Sequence, residues 1–346
     1  MSIINKAAAI GGGVIGAGWV ARLLLNGIDV SIFDPDPEAS RKVSEVMKGA
    51  RRAYKQMVPG GLPKEGKLTF AKTIAEAVAD ADFIQESVPE RLDLKHKVLA
   101  EIDAHAPANA IVGSSTSGIK PTDMQVAMKK HPERLVVGHP FNPVYLLPLV
   151  EIVGGDQTFP EAIEVAKEIY ASIGMKPVVI RKEIEAFVGD RLLEAAWREA
   201  LWLIKDGICT VEELDDIMRY GFGLRWAQMG MFQVYRVAGG DAGMRHFMAQ
   251  FGPCLKWPWT KLMDVPEFND ELVDLIATQS DDQAHGLSIR ELEKIRDDNL
   301  VAIMDALSKQ NKGKGWGAGA LHKDYTKQLA KLAAKKPAAS KAAEKA

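Results

Sequence analysis

A glycine-rich turn between a predicted strand and a predicted helix constrains this chain more than any other stretch. Residues 3–10 form an apolar run typical of a strand, and apolar residues recur at helical spacing from residue 14 onward. Gly11, Gly13 and Gly16 form a G-x-G-x-x-G pattern between the two. In this context the glycines permit a tight turn, a close approach of the backbone to a pyrophosphate, and close packing of helix on strand.

The same turn predicts the contacts of a dinucleotide. The first N–H groups of a helix have no partner within the helix, and they bind phosphate oxygens well. We therefore predict that the cofactor-binding residues of this turn are Gly11, Gly12, Gly13, Val14, Ile15 and Gly16.

An acidic residue at the end of the second predicted strand indicates which dinucleotide is bound. Asp34 follows the strand at residues 29–33, at about the spacing at which a ribose-binding acid is expected. A carboxylate accepts a hydrogen bond from the ribose 2′-hydroxyl but repels a 2′-phosphate, and the next residue is Pro35 rather than Arg or Lys. The sequence predicts NAD rather than NADP. The alternative is that Asp34 merely starts the Asp-Pro-Asp-Pro turn.

Composition excludes several classes of partner. The 346 residues carry a formal net charge of −2, so no overall field attracts nucleic acid or an anionic membrane. Cys209 and Cys254 have no metal-ligand spacing, and we expect no metal site. We see no signal peptide and no apolar run near the roughly 20 residues that span a bilayer. We expect a cytoplasmic protein.

The order of predicted elements indicates an α/β fold with a second, helical domain. Strands and helices alternate up to residue 180, which predicts a doubly wound parallel sheet of the Rossmann type. From Glu185 only helices follow, beginning with a long one over 185–205. We predict an NAD-binding domain at 1–184, a smaller all-helical substrate and dimerisation domain at 185–332, and a flexible tail at 333–346.

One histidine stands where chemistry on an alcohol would require it. Hydride transfer needs a base that removes the hydroxyl proton, and a histidine held by a carboxylate suits that role. Of the seven histidines, His139 follows an apolar strand at the expected ligand edge of the sheet, and Glu151 lies in the next strand. The alternative is a strand-end histidine with an ordinary structural hydrogen bond.

A set of motifs resembles one known family in order and spacing. The motifs are Gly11-Gly-Gly-Val-Ile-Gly-Ala-Gly18, Glu86-Ser-Val-Pro-Glu-Arg-Leu-Asp-Leu-Lys95, Ser115-Thr-Ser-Gly118, Gly138-His-Pro-Phe-Asn-Pro143 and Val150-Glu151. Over roughly residues 5–225 the chain resembles the 3-hydroxyacyl-CoA dehydrogenase family. The fuller wording is most similar to the branch that oxidises L-carnitine to 3-dehydrocarnitine with NAD.

The resemblance implies a role for individual residues. His139 matches the acid/base and Glu151 its orienting partner. Ser117 matches the serine that hydrogen-bonds the reacting oxygen, and Asn142 matches the asparagine near the nicotinamide and the substrate.

Glu90 and Lys95 match the pair beside the nicotinamide ribose. Without the surrounding motif, Glu90 would be read as a helix-starting acid, Lys95 as a solvated lysine and Ser117 as a turn residue.

The chain departs from the acyl-CoA enzymes where the helical domain begins. They have Pro-Gly-Phe followed by an Asn-Arg pair, whereas this chain has Glu185-Ala-Phe-Val-Gly-Asp190-Arg191. Asp190 in place of an asparagine puts an acyl-thioester substrate in doubt and is compatible with a cationic one. The alternative is a surface ion pair of Asp190.

Aromatic rings of the helical domain are candidates for binding a trimethylammonium group through cation–π attraction. The rings are Phe222, Trp226, Phe232, Tyr235, Trp257 and Trp259. We take Trp226 and Phe232 as substrate-binding candidates, although at least half of these rings are expected to be packing residues. Arg191, Arg198 and Arg225 are open alternatives for the substrate carboxylate.

Two other functions remain open: a 3-hydroxyacyl-CoA dehydrogenase, or a weakly active NAD-binding structural protein. The long helix from Glu185 is apolar on more than one side. Together with the resemblance, this predicts a homodimer built through the helical domain.

Overall fold

The computed structural model of the protein describes residues 3–58, 60–227, 230–238, 243–251, 258–261, 269–272, 274–275, 285–310 and 318–334. The chain forms two compact units, which divide at residues 187/188 and 320/321. The first unit therefore contains both the start of the chain and most of the helix Gly319–Ala334.

The first unit is built on a sheet. Its strands, named in chain order, are β1 Lys6–Ile10, β2 Asp29–Phe33, β3 Leu68–Phe70, β4 Phe83–Glu86, β5 Ile111–Ser114, β6 Leu135–Pro140, β7 Leu149–Gly154 and β8 Lys176–Ile180. Its helices are α1 Val14–Leu25, α2 Ala39–Met57, α3 Ile74–Val78, α4 Leu92–His105, α5 Pro121–Gln125 and α6 Pro160–Ser172.

The strand order is β3-β2-β1-β4-β5-β6-β7-β8. Strands β1 to β6 pair in parallel, and the order changes direction between β1 and β4. Ligands of open α/β sheets bind at such a switch point, beyond the carboxyl ends of the strands. The predicted doubly wound fold is confirmed.

One pairing differs from the parallel sheet that we predicted. β7 runs antiparallel to β6, and His139 pairs with Glu151 across the two strands. The reason is the connection at residues 141–148, which is shorter than the roughly dozen residues that a parallel crossover needs. β8 is parallel to β7, because α6 provides a crossover between them.

The last helix, Gly319–Ala334, also differs from the prediction, which placed it in the helical domain. The hydroxyl of Tyr325 lies 2.8 Å from that of Tyr54 and accepts a hydrogen bond from the Asn26 side-chain amide at 2.7 Å. Gln328 donates to the carbonyl of Ser172 at 2.6 Å. These contacts belong to the first unit, and no local sequence pattern predicts them.

The second unit is helical in its described residues. Its helices include α7 Gly189–Lys205, then Val211–Ile217, a π-helical turn Met218–Phe222, Gly223–Trp226, Met231–Ala238, Gly243–Phe251 and Ile289–Lys309. α7 begins at Gly189 rather than at Glu185, because Ala186 and Phe187 have positive φ angles of 60° and 48°. The predicted tail lies outside the described residues from residue 335 onward.

Candidate active site

The glycine turn has the shape of a phosphate cradle. Gly11 has a φ of 101°, and a Cβ there would lie 2.6 Å from the carbonyl oxygen of Ser87. A Cβ on Gly16 would lie 1.9 Å from the carbonyl oxygen of Gly11, so helix α1 packs on the turn itself. A Cβ on Gly13 would meet no protein atom within 4 Å. The open space at Gly13 is where the backbone can approach a pyrophosphate.

The start of α1 completes the cradle. Its N-cap is Gly13, and no side chain caps it. Val14 is 64% exposed, and Ile15 follows it in the first turn. The residues present therefore fit a dinucleotide, whose phosphates would take the N–H groups at this helix start.

Asp34 lies against the same turn. Its Oδ2 accepts a hydrogen bond from the backbone N–H of Gly12 at 2.5 Å, and its Oδ1 accepts one from that of Asp36 at 2.7 Å. Lys42 forms an ion pair with Asp36 at 2.5 Å. The carboxylate of Asp34 is thus fixed beside the glycine turn.

His139 and Glu151 form a buried pair. The imidazole Nδ1 lies 2.9 Å from Glu151 Oε2, and the two residues are only 4% and 3% exposed. A carboxylate at this distance fixes the Nδ1–H tautomer and orients the ring. The antiparallel register of β6 and β7 produces this contact, because it sets the two residues opposite each other.

Two aromatic rings flank the imidazole of His139. The ring of Phe141 has its centroid 5.3 Å away, and the ring of Phe187 has its centroid 5.7 Å away. The sequence pattern predicts a helix at Phe187, and this contact was not predicted. The signal that could have drawn attention to it is the break from Pro-Gly-Phe at residues 185–187.

Lys95 and Glu90 belong to a network of ion pairs and hydrogen bonds. A third member, Glu86, was not predicted as a site residue. The ammonium of Lys95 is buried and lies 2.9 Å from Glu86 Oε1 and 3.5 Å from Glu90 Oε2. Glu86 is fully buried at the end of β4 and also accepts a hydrogen bond from Ser114 at 2.5 Å. An acid that ends a buried strand at the ligand edge was the available signal for Glu86.

Glu90 holds the loop that carries Ser117. Its Oε1 accepts hydrogen bonds from the backbone N–H groups of Ser117 at 3.0 Å and Gly118 at 3.1 Å, and from the hydroxyl of Thr116. Burial raises the pKa of Glu90, but the hydrogen bonds from Thr116, Gly118 and Ser117 and the charge of Lys95 together outweigh burial, so the pKa lies below its usual value. Glu90 therefore acts on this loop as a carboxylate.

The other candidate residues lie in different places. Ser117 and Asn142 are exposed residues of the first unit, on the loops after β5 and β6. Asp190 is half-buried in the first turn of α7, in the second unit.

Trp226 and Phe232 also lie in the second unit. The Trp226 ring packs on Phe222 with centroids 4.7 Å apart, and Phe232 is 77% exposed. Trp257 lies outside the described residues.

Two kinds of feature are absent from the part of the chain that the structure describes. No helix there has the length and apolar character needed to cross a bilayer. No group of three or more His, Cys, Asp or Glu side chains there is arranged to hold a metal ion.

Two family models match consecutive parts of the chain. Residues 6–184 match the model described as 3-hydroxyacyl-CoA dehydrogenase, NAD binding domain, and residues 187–266 match the model of the 3-hydroxyacyl-CoA dehydrogenase C-terminal domain. The chain belongs to the 3-hydroxyacyl-CoA dehydrogenase family. The family that the motifs resemble is thereby confirmed, and so is NAD as the cofactor.

Two members of the 3-hydroxyacyl-CoA dehydrogenase family that are highly identical to this chain have names that state a substrate. The L-carnitine dehydrogenase of Mesorhizobium japonicum is 99% identical over 340 residues, which cover 98% of this chain and 93% of that protein. The L-carnitine dehydrogenase/betainyl-CoA thioesterase of Rhizobium meliloti is 65% identical over 329 residues, which cover 95% of this chain and 66% of that protein. This chain thus spans just under two thirds of the second relative's length.

A solved structure supports the same fold. The 5-formyl-3-hydroxy-2-methylpyridine 4-carboxylic acid 5-dehydrogenase, described as an NAD+ dependent dismutase, superposes with a TM-score of 0.72 at 28% identity. The superposition covers 89% of this chain and 100% of that chain.

Proposed function

We propose that this protein oxidises the 3-hydroxyl of L-carnitine to 3-dehydrocarnitine with NAD. The observation that carries the reaction type is the buried pair of His139 and Glu151, joined at 2.9 Å beyond the parallel part of the sheet. The substrate rests on the 99% identity to the L-carnitine dehydrogenase of Mesorhizobium japonicum.

His139 is the base of the proposed reaction. Because Nδ1 is held by Glu151, the exchange of a proton with the substrate hydroxyl falls to Nε2. Bound NAD would supply the hydride acceptor for the carbon that bears this hydroxyl. The carboxylate of Glu151 stabilises the imidazolium that forms, and burial of both side chains strengthens this interaction.

The residues that we assign to NAD are the cradle at 11–16 and Asp34, with Glu90 and Lys95 near the nicotinamide end. The support for the cradle is the open space at Gly13 and the uncapped start of α1. The support for Glu90 and Lys95 is their ion pair at 3.5 Å at the carboxyl end of the sheet.

We keep as L-carnitine residues those that the sequence predicts. Ser117 and Asn142 hold the reacting oxygen and the region beside it. Asp190, Trp226 and Phe232 hold the trimethylammonium group, since a quaternary ammonium cannot donate an N–H hydrogen bond and is bound by charge and by aromatic faces.

We also propose a homodimer built through the helical unit. On α7 the side chains of Leu192, Leu193 and Trp197 are 59%, 54% and 53% exposed. A second copy of the chain would cover such a surface. Light scattering at micromolar concentration tests this proposal, and a monomeric mass would reject it.

The decisive experiment compares substrates. NADH formation is measured by absorbance with L-carnitine, 3-hydroxybutyryl-CoA and L-gulonate, each with wild-type protein and with His139→Gln. We expect turnover of L-carnitine alone, with kcat reduced by about 10²–10⁴-fold in the variant. Turnover of 3-hydroxybutyryl-CoA without turnover of L-carnitine would refute the substrate and favour an acyl-CoA enzyme.

A further inference from the structure

The side chain of Phe187 is buried against the proposed catalytic histidine. Phe187 has no exposed surface, and its ring is tilted by 51° to the imidazole of His139 at a centroid distance of 5.7 Å. Phe141 lies against the imidazole at 5.3 Å with a tilt of 55°. Two rings and the carboxylate of Glu151 therefore contact the imidazole.

The backbone at Phe187 and at the residue before it has an unfavourable conformation. Ala186 and Phe187 are consecutive residues with φ angles of 60° and 48°, in the left-handed region that residues other than glycine rarely occupy. Such conformations persist where the surrounding structure over-determines them, and they cluster at functional sites. The left-handed turn directs Phe187 into the core of the first unit instead of letting α7 begin earlier.

The residues before Phe187 are tied to the loop that follows β5. Glu183 Oε2 accepts a hydrogen bond from the backbone N–H of Thr122 at 3.0 Å, and Glu185 pairs with Lys120 at 3.5 Å. A Cβ on Gly118 would lie 3.8 Å from the backbone nitrogen of Ala186. Residues 183–187, which we name the 183–187 segment, thus run beside the loop that carries Ser117.

We propose that Phe187 is a positioning residue for His139. Its ring keeps the imidazole in the orientation in which Nδ1 remains on Glu151 and Nε2 meets the substrate hydroxyl. The 183–187 segment supplies the rigid support, since it is anchored at Thr122 and ends in the buried ring. This proposal rests on the proposed function only for the expected change in kcat with L-carnitine. A misplacement of about 1 Å in a reacting group can cost on the order of 10²-fold in rate.

The test is Phe187→Met, which keeps an apolar side chain of similar length but removes the ring. The matched control is Phe83→Met, because Phe83 is also fully buried and packs edge-on against Tyr170 at 5.4 Å. We expect both variants to lose thermal stability. Only Phe187→Met should lower kcat for L-carnitine, by about tenfold or more, with KM for NAD unchanged. Phe187→Leu serves as the second variant if Phe187→Met cannot be purified.

A second readout does not depend on turnover. The 15N shifts of the His139 ring, assigned by their loss in His139→Gln, report which nitrogen carries the proton. We expect a single Nδ1–H tautomer in the wild type and in Phe83→Met, and averaged shifts in Phe187→Met. If the wild type does not oxidise L-carnitine, the proposed function fails while this comparison still decides on Phe187. Unchanged kcat and unchanged shifts in Phe187→Met, or an equal loss of kcat in Phe83→Met, would overturn the proposal.

Discussion

His139 and Glu151 face each other across the antiparallel ladder of β6 and β7, with the imidazole Nδ1 2.9 Å from the carboxylate. Their contact is a property of the strand register, since a shift of one residue would turn one side chain to the opposite face of the sheet. The histidine and its partner are thus held by backbone hydrogen bonds of the sheet rather than by a flexible loop.

Replacement of His139 by glutamine should reduce kcat by about 10²–10⁴-fold, the usual contribution of a general acid–base group. KM for NAD should change little, because the glycine turn that we assign to the dinucleotide follows β1, whereas His139 lies in β6. Steady-state kinetics with L-carnitine measure both constants. His105→Gln is the control, since this histidine is exposed at the end of α4. Near-normal turnover of the His139 variant would contradict its assignment.

Alanine at two glycines of the turn should affect different properties: cofactor binding at Gly13 and stability at Gly16. Gly13→Ala adds a Cβ that meets no protein atom within 4 Å, so the melting temperature should stay within about 1 °C while KM for NAD rises at least about tenfold. Gly16→Ala adds a Cβ only 1.9 Å from a carbonyl oxygen and should lower the melting temperature by roughly 4 °C or more. Thermal melts and NADH kinetics separate the two cases. An unaltered KM in Gly13→Ala would place the pyrophosphate elsewhere.

Removal of the Asp34 carboxylate should weaken the binding of NAD. Asp34→Ala should raise KM for NAD by about tenfold or more, since a charged hydrogen bond is lost. The double variant Asp34→Ser with Pro35→Arg should lower KM for NADP, because a cation then replaces the repelling charge. Kinetics with both cofactors provide the measurement. Equal efficiency of the wild type with NAD and NADP would refute the role of Asp34.

The stabilising contribution of Glu90 to the first unit should be lost in acid. Its pKa is lower in the folded protein than in the unfolded chain, so its stabilising effect is present above the unfolded pKa and is lost as the pH falls through the folded one. Glu90→Gln should lower the melting temperature at pH 7 by about 1–2 °C, a small effect because the side chain is partly exposed. This difference should shrink below about pH 4. Glu161→Gln, at an exposed position of α6, is the control, and a difference that does not depend on pH would argue against this role.

Much of the first unit could be predicted because its signals are local. The glycine turn follows from residue spacing, and most strands and helices follow from apolar periodicity. His139 and Glu151 could be proposed as a pair because each lies on a strand at the ligand edge. The antiparallel direction of β7 was missed, although the short connection at residues 141–148 carried the information.

Other features could not be predicted because they depend on contacts between distant residues. Phe187 continues an apolar pattern into α7, and that pattern shows neither its left-handed backbone nor its contact with His139. Lys95 is a charged residue that sequence patterns assign to a surface, yet its contact with Glu86 allows both side chains to be buried. Tyr325 meets Tyr54 across 271 positions of the chain.

The contacts of Tyr325 impose an order on the folding of this protein during its synthesis. Arg22, buried in α1, has the ring of Tyr325 5.8 Å from its guanidinium carbon. A nascent chain that has left the ribosome only as far as residue 187 contains every strand of the sheet but lacks the ring that covers this arginine. The sheet can form during translation, whereas the packing around Arg22, Asn26 and Tyr54 is completed only after the whole helical insertion has been made.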